Sequence, residues 1–242
     1  MKYIFLHIEK TAGTSLVSYI KNSVAEKNFY YTRPELLNDP EVVKNELSKY
    51  NALAGHIRYG QIEKNFEDVF KITFLRDPIE RILSFYYYAK ESPETKDHIT
   101  VQSKKLNILD FLDHCQEKND RRFVNGMTFK LASDCTQQEE LASAKKNLET
   151  MDCIGIQKYF DESLSILSYK TGWKPVEVVP RTNITKKRSN QNELSSEIVE
   201  KILELNQDDQ LLYEYAISLF EKERKKILTE LIDKEYYAKN DN

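Results

Sequence analysis

The chain has 242 residues, with 36 Lys and Arg against 39 Asp and Glu, for a net charge of −3. A chain this close to neutrality has no global field to hold a nucleic-acid backbone, so any polyanion it binds must be met by a local cluster. With 40% hydrophobic and 31% charged residues it is globular rather than disordered, and no apolar run approaches the ~20 residues that span a bilayer.

Six Gly and six Pro against 15 Tyr and 11 Phe predict helices around an aromatic-rich core, organised as one domain over residues 1–242. The three cysteines, Cys115, Cys135 and Cys153, are odd in number and form no Cys-x-x-Cys pair. That predicts free thiols in a reducing compartment and no metal site. The apolar stretch after Met1 is too short for a signal peptide, so the expected location is cytoplasmic, without stable membrane insertion.

Residues 3–8 form a β-favouring run. Leu16, Val17 and Ile20 then take helical spacing to about residue 26, giving a strand–loop–helix unit at the start. Residues 34–39 read as a loop, 42–50 as a helix and 52–55 as a short buried strand. Val69–Leu75 is the clearest strand. Asp77 then suits an N-cap, Pro78 the first helical position, and Glu80 the reciprocal place of a capping box. Residues 91–107 are polar and read as a mobile loop. Helices are predicted near 108–114, 121–131 and, after the capping box Thr136-Gln137-Gln138-Glu139, to about 149. Residues 153–156 read as a last inner strand and 161–169 as a helix stopped by Gly172. A basic, polar loop covers 181–192, and amphipathic helices cover 195–206 and 209–235. The fold class is therefore α/β, a P-loop-like parallel sheet flanked by helices with a helix-rich C-terminal half.

Two segments carry chemistry. Glu9-Lys10-Thr11-Ala12-Gly13-Thr14-Ser15 joins a strand to a helix, where free backbone N–H groups and the helix dipole suit phosphate or sulfate. Gly13 admits a close approach, Lys10 adds charge, and Thr11, Thr14 and Ser15 add hydroxyls. It is not a Walker A loop, because the Lys precedes the Gly. The alternative is an ordinary turn with a solvated Lys. In the second segment, Arg76 stands at the end of a strand, and Arg81 and Ser84 lie on neighbouring faces of the following helix. An Arg fork with a hydroxyl suits a phosphate monoester. The alternative is a capped helix whose arginines pair with carboxylates.

Together these segments resemble the two nucleotide motifs of the PAPS-dependent carbohydrate sulfotransferases. The stretch from His7 to Ser15 is similar to their 5′-phosphosulfate loop. The stretch from Phe74 to Tyr88 is similar to their 3′-phosphate motif, Arg-Asp-Pro-x-x-Arg-x-x-Ser-x-Tyr. The resemblance includes the heparan and dermatan sulfate uronyl 2-O-sulfotransferases. It extends through Gly55-His56-Ile57-Arg58-Tyr59-Gly60, residues 144–148, Ile154-Gly155-Ile156 and residues 208–213.

The resemblance implies a donor, 3′-phosphoadenosine 5′-phosphosulfate (PAPS), and no metal. It implies that Lys10, Thr11, Gly13, Thr14 and Ser15 hold the 5′-phosphosulfate, and that Arg76 and Ser84 hold the 3′-phosphate. It makes His56 the general base and Lys10 its catalytic companion at the leaving phosphate. The acceptor would be a hydroxyl on a glycan or small molecule. Arg181, Thr182, Lys186, Lys187 and Arg188 loosely match a segment that closes over the nucleotide. Two departures stand out. Glu9 replaces a common Pro, and a carboxylate there repels the donor unless it points away. The stem and anchor of the animal Golgi enzymes have no counterpart. Of the other histidines, His7 is expected to be a hydrogen-bonded core residue of the first strand, and His98 to lie in a polar loop. His114, beside Cys115, has no partners for a metal. An ATP-dependent kinase is the alternative enzyme, though no strand ends in a Walker B Asp. A non-catalytic nucleotide-binding module would need Lys10 and Arg76 but not His56.

Overall fold

The computed structural model describes residues 2–93, 97–175 and 195–240, with side chains to residue 233. Five parallel strands form one sheet: β1 (Lys2–Leu6), β2 (Phe29–Tyr31), β3 (Ala52–Gly55), β4 (Val69–Leu75) and β5 (Cys153–Ile156), in the order β2-β3-β1-β4-β5. β1 is central, with Phe5 opposite Ala54 of β3 and Ile72 of β4. Its buried run Ile4-Phe5-Leu6 and the fully buried β3 are what a sheet covered on both faces demands. Gly55 ends β3 where a Cβ would lie 2.5 Å from the Thr32 carbonyl oxygen, so only glycine lets the chain leave β2 at this distance.

From β1 the chain moves outward to one side, and from β4 to the other. The crevice outside the carboxyl ends of β1 and β4 is thus the topological switch point, the usual ligand position in such sheets. Helix α1 (Gly13–Val24) follows β1 and buries Leu16, Tyr19 and Ile20. Between β2 and β4 lie α2 (Pro40–Asn45) and α3 (Tyr59–Asn65). Helix α4 (Pro78–Glu91) follows β4. The Asp77 carboxylate accepts the Glu80 N–H at 3.0 Å, as an N-cap should. The predicted box is not completed, because the Glu80 carboxylate turns to Arg76 instead, at 2.8 Å.

The second half is helical: α5 (His98–Lys105), α6 (Ile108–Glu117), α7 (Gly126–Leu131), α8 (Glu140–Glu149), α9 (Phe160–Thr171), α10 (Ser196–Leu205) and α11 (Gln207–Asn240). Ile82, Tyr86, Ile99, Phe111, Phe123 and Ile202 form a second apolar cluster beside the one that covers the sheet. Among the described residues no helix is long and apolar enough to cross a membrane.

Several predicted elements are corrected. Within 91–107, residues 98–105 are the helix α5, capped by Asp97, with Ile99, Thr100 and Ser103 buried. Only Gly126–Leu131 of the helix expected at 121–131 is helical, since Asn125 takes a left-handed φ of 48°. The loop at 34–39 contains a 3₁₀ turn, and the 42–50 helix is α2 followed by another. Strand β2 and helix α3 were not predicted.

Candidate active site

The loop after β1 is shaped by its own hydrogen bonds. The His7 N–H continues the ladder to the Gly55 carbonyl at 2.9 Å. The Thr11 hydroxyl donates to the Ile8 carbonyl at 2.9 Å, and Thr11 is fully buried. The chain then turns through Lys10 and Ala12 at φ 69° and 73°, a conformation costing roughly 1–2 kcal/mol for each non-glycine residue. Helix α1 begins at Gly13 with no side-chain cap and no acidic residue in its first turn. Its first residues, Gly13, Thr14 and Ser15, line the crevice, where the helix dipole favours an anion. A Cβ on Gly13 would stand 1.7 Å from Nε2 of His7, so the loop closes against that imidazole only with glycine.

A cavity of about 780 Å³ opens over this loop. Lys10, Gly13, Thr14, Ser15, His56, Arg76 and Ser84 all line it; Thr11, whose hydroxyl is engaged below the loop, does not. Arg76 joins the two motifs directly. Its guanidinium donates through Nη1 to the Lys10 carbonyl at 3.1 Å and through Nη2 to Glu80 at 2.8 Å. The Lys10 ammonium lies 3.7 Å from the Tyr88 ring centroid. Arg81, the other arginine of the motif, is not at the cavity. It is wholly buried and paired with Asp209 at 3.3 Å.

Tyr88, which the sequence leaves between lining a sugar site and packing, lines the cavity. The sequence reading missed Phe85 and Arg122 and the run from Gln157 to Glu162 after β5. The last group was discoverable, since every loop at the carboxyl end of a parallel strand is a candidate. The basic segment 181–188 lies outside the described residues.

His56 follows β3 and faces the same cavity as Lys10. Its Nδ1 is 2.8 Å from the His7 carbonyl oxygen. A carbonyl only accepts, so Nδ1 carries the hydrogen and Nε2 keeps a lone pair. Glu9 stands 3.7 Å from His56 Nδ1 and 3.6 Å from the Lys130 ammonium. Lys130 also donates to the His56 carbonyl at 2.6 Å. The Glu9 carboxylate thus meets a cation and an imidazole while it also lines the cavity.

His7 is hydrogen-bonded and buried as expected, but it lies one residue past β1 and also lines the cavity. Its Nδ1 is 2.7 Å from the Tyr31 hydroxyl, and its ring centroid is 4.3 Å from that of His56. Burial, then the charges of His56, Lys130 and Lys10, pull its pKa down to about 3.

A second cavity of about 600 Å³ lies between α3 and α7, lined by Leu37, Asn38, Arg58, Lys64, Phe129, Lys130 and again His56. Among the described residues His56 alone borders both of these cavities. Tyr86 packs, its hydroxyl donating to the Leu106 carbonyl at 3.0 Å. His98 and His114 approach at 2.6 Å through their Nε2 atoms, yet among the described residues no three His, Cys, Asp or Glu side chains converge as a metal site would need.

A helix N-terminus, a lysine and an arginine at one crevice, with an imidazole lining it too, have the chemistry to meet a phosphate or sulfate group. The sulfotransferase family model matches residues 1–216, and the chain belongs to that family. Among solved structures it is similar to mouse sulfotransferase SULT7A1 complexed with PAP, at 15% identity and a TM-score of 0.44. The match covers 83% of this chain and 64% of that one, so the chain spans less than two thirds of that protein's length. No curated protein matches it significantly.

Proposed function

We propose that this chain transfers a sulfuryl group from PAPS to a hydroxyl of a carbohydrate or small molecule. The observation that carries the reading is His56, bordering both cavities with its Nε2 lone pair fixed by the His7 carbonyl. The first cavity fits the donor: the cradle over Gly13, the N–H groups of Thr14 and Ser15, and Lys10 suit the 5′-phosphosulfate. Arg76 and Ser84 suit the 3′-phosphate, which would take Arg76 in competition with Glu80. Thr11 supports the loop from beneath.

The second cavity would hold the acceptor. His56 Nε2 takes the hydroxyl proton as the acceptor oxygen bonds to sulfur. The sulfur–oxygen bond to the 5′-phosphate breaks, and its electron pair stays with that phosphate. Lys10 and the α1 N–H groups offset the charge there. A sulfate ester, 3′,5′-ADP and a proton on His56 result. Residues 1–242 act as one unit in this reading, and its three free cysteines favour a reducing, cytoplasmic setting.

The test is release of 3′,5′-ADP from PAPS with glycan and small-molecule acceptors, by the native chain and by His56→Ala. Loss of a general base lowers turnover about 10²–10⁴-fold. Affinity for 3′,5′-ADP should hold. Full turnover in the variant would remove His56 from the mechanism. Stabilisation by ATP with Mg²⁺ but not by 3′,5′-ADP would replace the donor altogether.

A further inference from the structure

His7 is a buried imidazole that the transfer scheme above leaves unused. Its faces are covered. The rings of His56 and Phe5 lie against it at centroid distances of 4.3 and 5.1 Å. A Cβ built on Gly13 would fall 1.7, 2.1 and 2.4 Å from its Nε2, Cδ2 and Cε1 atoms. Distances this short to all three place Gly13 over the ring face beside Nε2, and not in line with an N–H bond there. Nδ1 is taken by the Tyr31 hydroxyl at 2.7 Å. That leaves Nε2, which lies against Gly13 at the cavity both residues line.

The partners of the two neighbouring histidines give them opposite tautomers. His56 Nδ1 meets a carbonyl, which forces the hydrogen onto Nδ1 and leaves Nε2 bare. His7 Nδ1 meets a phenol, whose O–H is a better donor than an imidazole N–H, while imidazole nitrogen is the better acceptor. Burial and the Glu9 charge hold the Tyr31 pKa well above the usual phenol range, so that proton is retained. With Tyr31 donating to Nδ1, the single hydrogen of a neutral His7 is on Nε2.

We propose that His7 is a second catalytic residue, a neutral hydrogen-bond donor whose Nε2–H meets the sulfuryl and bridging oxygens of PAPS over the Gly13 loop. The proposal rests on the donor reading above. No proton is transferred at His7. As the bond from sulfur to the 5′-phosphate oxygen breaks, charge gathers on that oxygen, and Nε2–H donates to it. His56 alone accepts the proton of the acceptor hydroxyl. The low basicity of the buried ring suits this division, because His7 stays neutral beside Lys10, Lys130 and His56.

The test is long-range ¹⁵N spectroscopy of the histidine rings in the free protein, with 3′,5′-ADP and with PAPS, while calorimetry follows binding of each nucleotide. His7 should be protonated at Nε2 and His56 at Nδ1. PAPS should move the His7 Nε2 resonance more than 3′,5′-ADP does. In kinetics, His7→Gln, which keeps a side-chain N–H near the Nε2 position, should retain turnover within about tenfold. His7→Phe should lose about 10²-fold, the effect of removing one donor from such a site. A hydrogen on His7 Nδ1, a resonance that bound PAPS leaves unmoved, or equal turnover in the two variants would overturn the role of His7 alone. Absence of PAPS binding in the calorimeter would overturn the donor reading and this proposal with it.

Discussion

Burial of His7 has a consequence for stability that is independent of any reaction. Above pH 6.5 the ring is neutral in both the folded and the unfolded chain. Below it the unfolded chain takes up a proton that the folded ring refuses until about pH 3. Stability contributed by the neutral ring is thus present above 6.5 and lost as the pH falls towards 3, by at most about 1.4 kcal/mol per pH unit. Carboxylates with lowered pKa, such as Asp97, Asp134 and Glu139, add their own loss only nearer their ordinary values of 3.8 and 4.5. Denaturant unfolding between pH 4.5 and 6.5 should therefore show a slope that His7→Gln reduces; an unchanged slope would mean the ring is not held neutral. Arg76 and Lys10 are separable at the same scale. Lys10→Ala removes an ammonium, and we expect 3′,5′-ADP affinity to fall by about 1.5–3 kcal/mol, the range for a charged hydrogen bond. Arg76→Ala also removes the guanidinium from the Lys10 carbonyl, so it should lower both affinity and melting temperature. Calorimetry finding native affinity in both variants would sink the assignment of the two motifs.

At the scale of elements, Asp209 ties α11 to α4 and α7. Its Oδ1 accepts the Thr128 N–H at 2.7 Å and hydroxyl at 2.9 Å, and its Oδ2 accepts the Met127 N–H at 3.0 Å and the Arg81 guanidinium at 3.3 Å. Four donors from α4 and α7 converge on one wholly buried carboxylate of α11. Asp209→Ala strands a buried Arg81 charge and should destabilise the fold by about 3–5 kcal/mol, read as a shift in denaturant midpoint. A loss under about 1 kcal/mol would mean that solvent reaches Arg81. The sequence exposed some of this architecture and hid the rest for physical reasons. Val69–Leu75, Ala52–Gly55 and the Asp77-Pro78 helix start are local signals, and the strands and cap stand where those residues put them. Helix α5 was hidden because only one large apolar residue, Ile99, is fully buried along it; its neighbours Thr100 and Ser103 are buried polar groups. The sequence leaves Arg81 between an anion fork and a carboxylate pair, because its buried partner lies 128 positions away, beyond any local pattern. The loop motifs were legible as residues, while the close pair His7 and His56 depends on the pairing of β1 with β3 and on nothing local.

For the whole molecule, the sheet order sets two cavities on either side of one imidazole. β1 and β4 open the first at the switch point, and β3 delivers His56 to the wall between it and the second. If the two cavities hold the two substrates, substitutions should sort by cavity. Tyr88→Ala removes the ring under the Lys10 ammonium in the first, a contact of about 0.5–2 kcal/mol, and should weaken 3′,5′-ADP binding without raising KM for the acceptor. Asn38→Trp fills the second from its exposed rim, where Asn38 makes only a 3.0 Å contact with Gln61. It should cut kcat/KM for the acceptor by roughly tenfold or more, equivalent to about 1.4 kcal/mol, and leave 3′,5′-ADP affinity unchanged. Steady-state kinetics with each substrate varied in turn, alongside calorimetry, reads both. Native acceptor kinetics in the Asn38→Trp variant would move the acceptor out of the second cavity, and His56 would then have to receive it from the mouth of the first, among Tyr88, Arg122 and the residues that open α9.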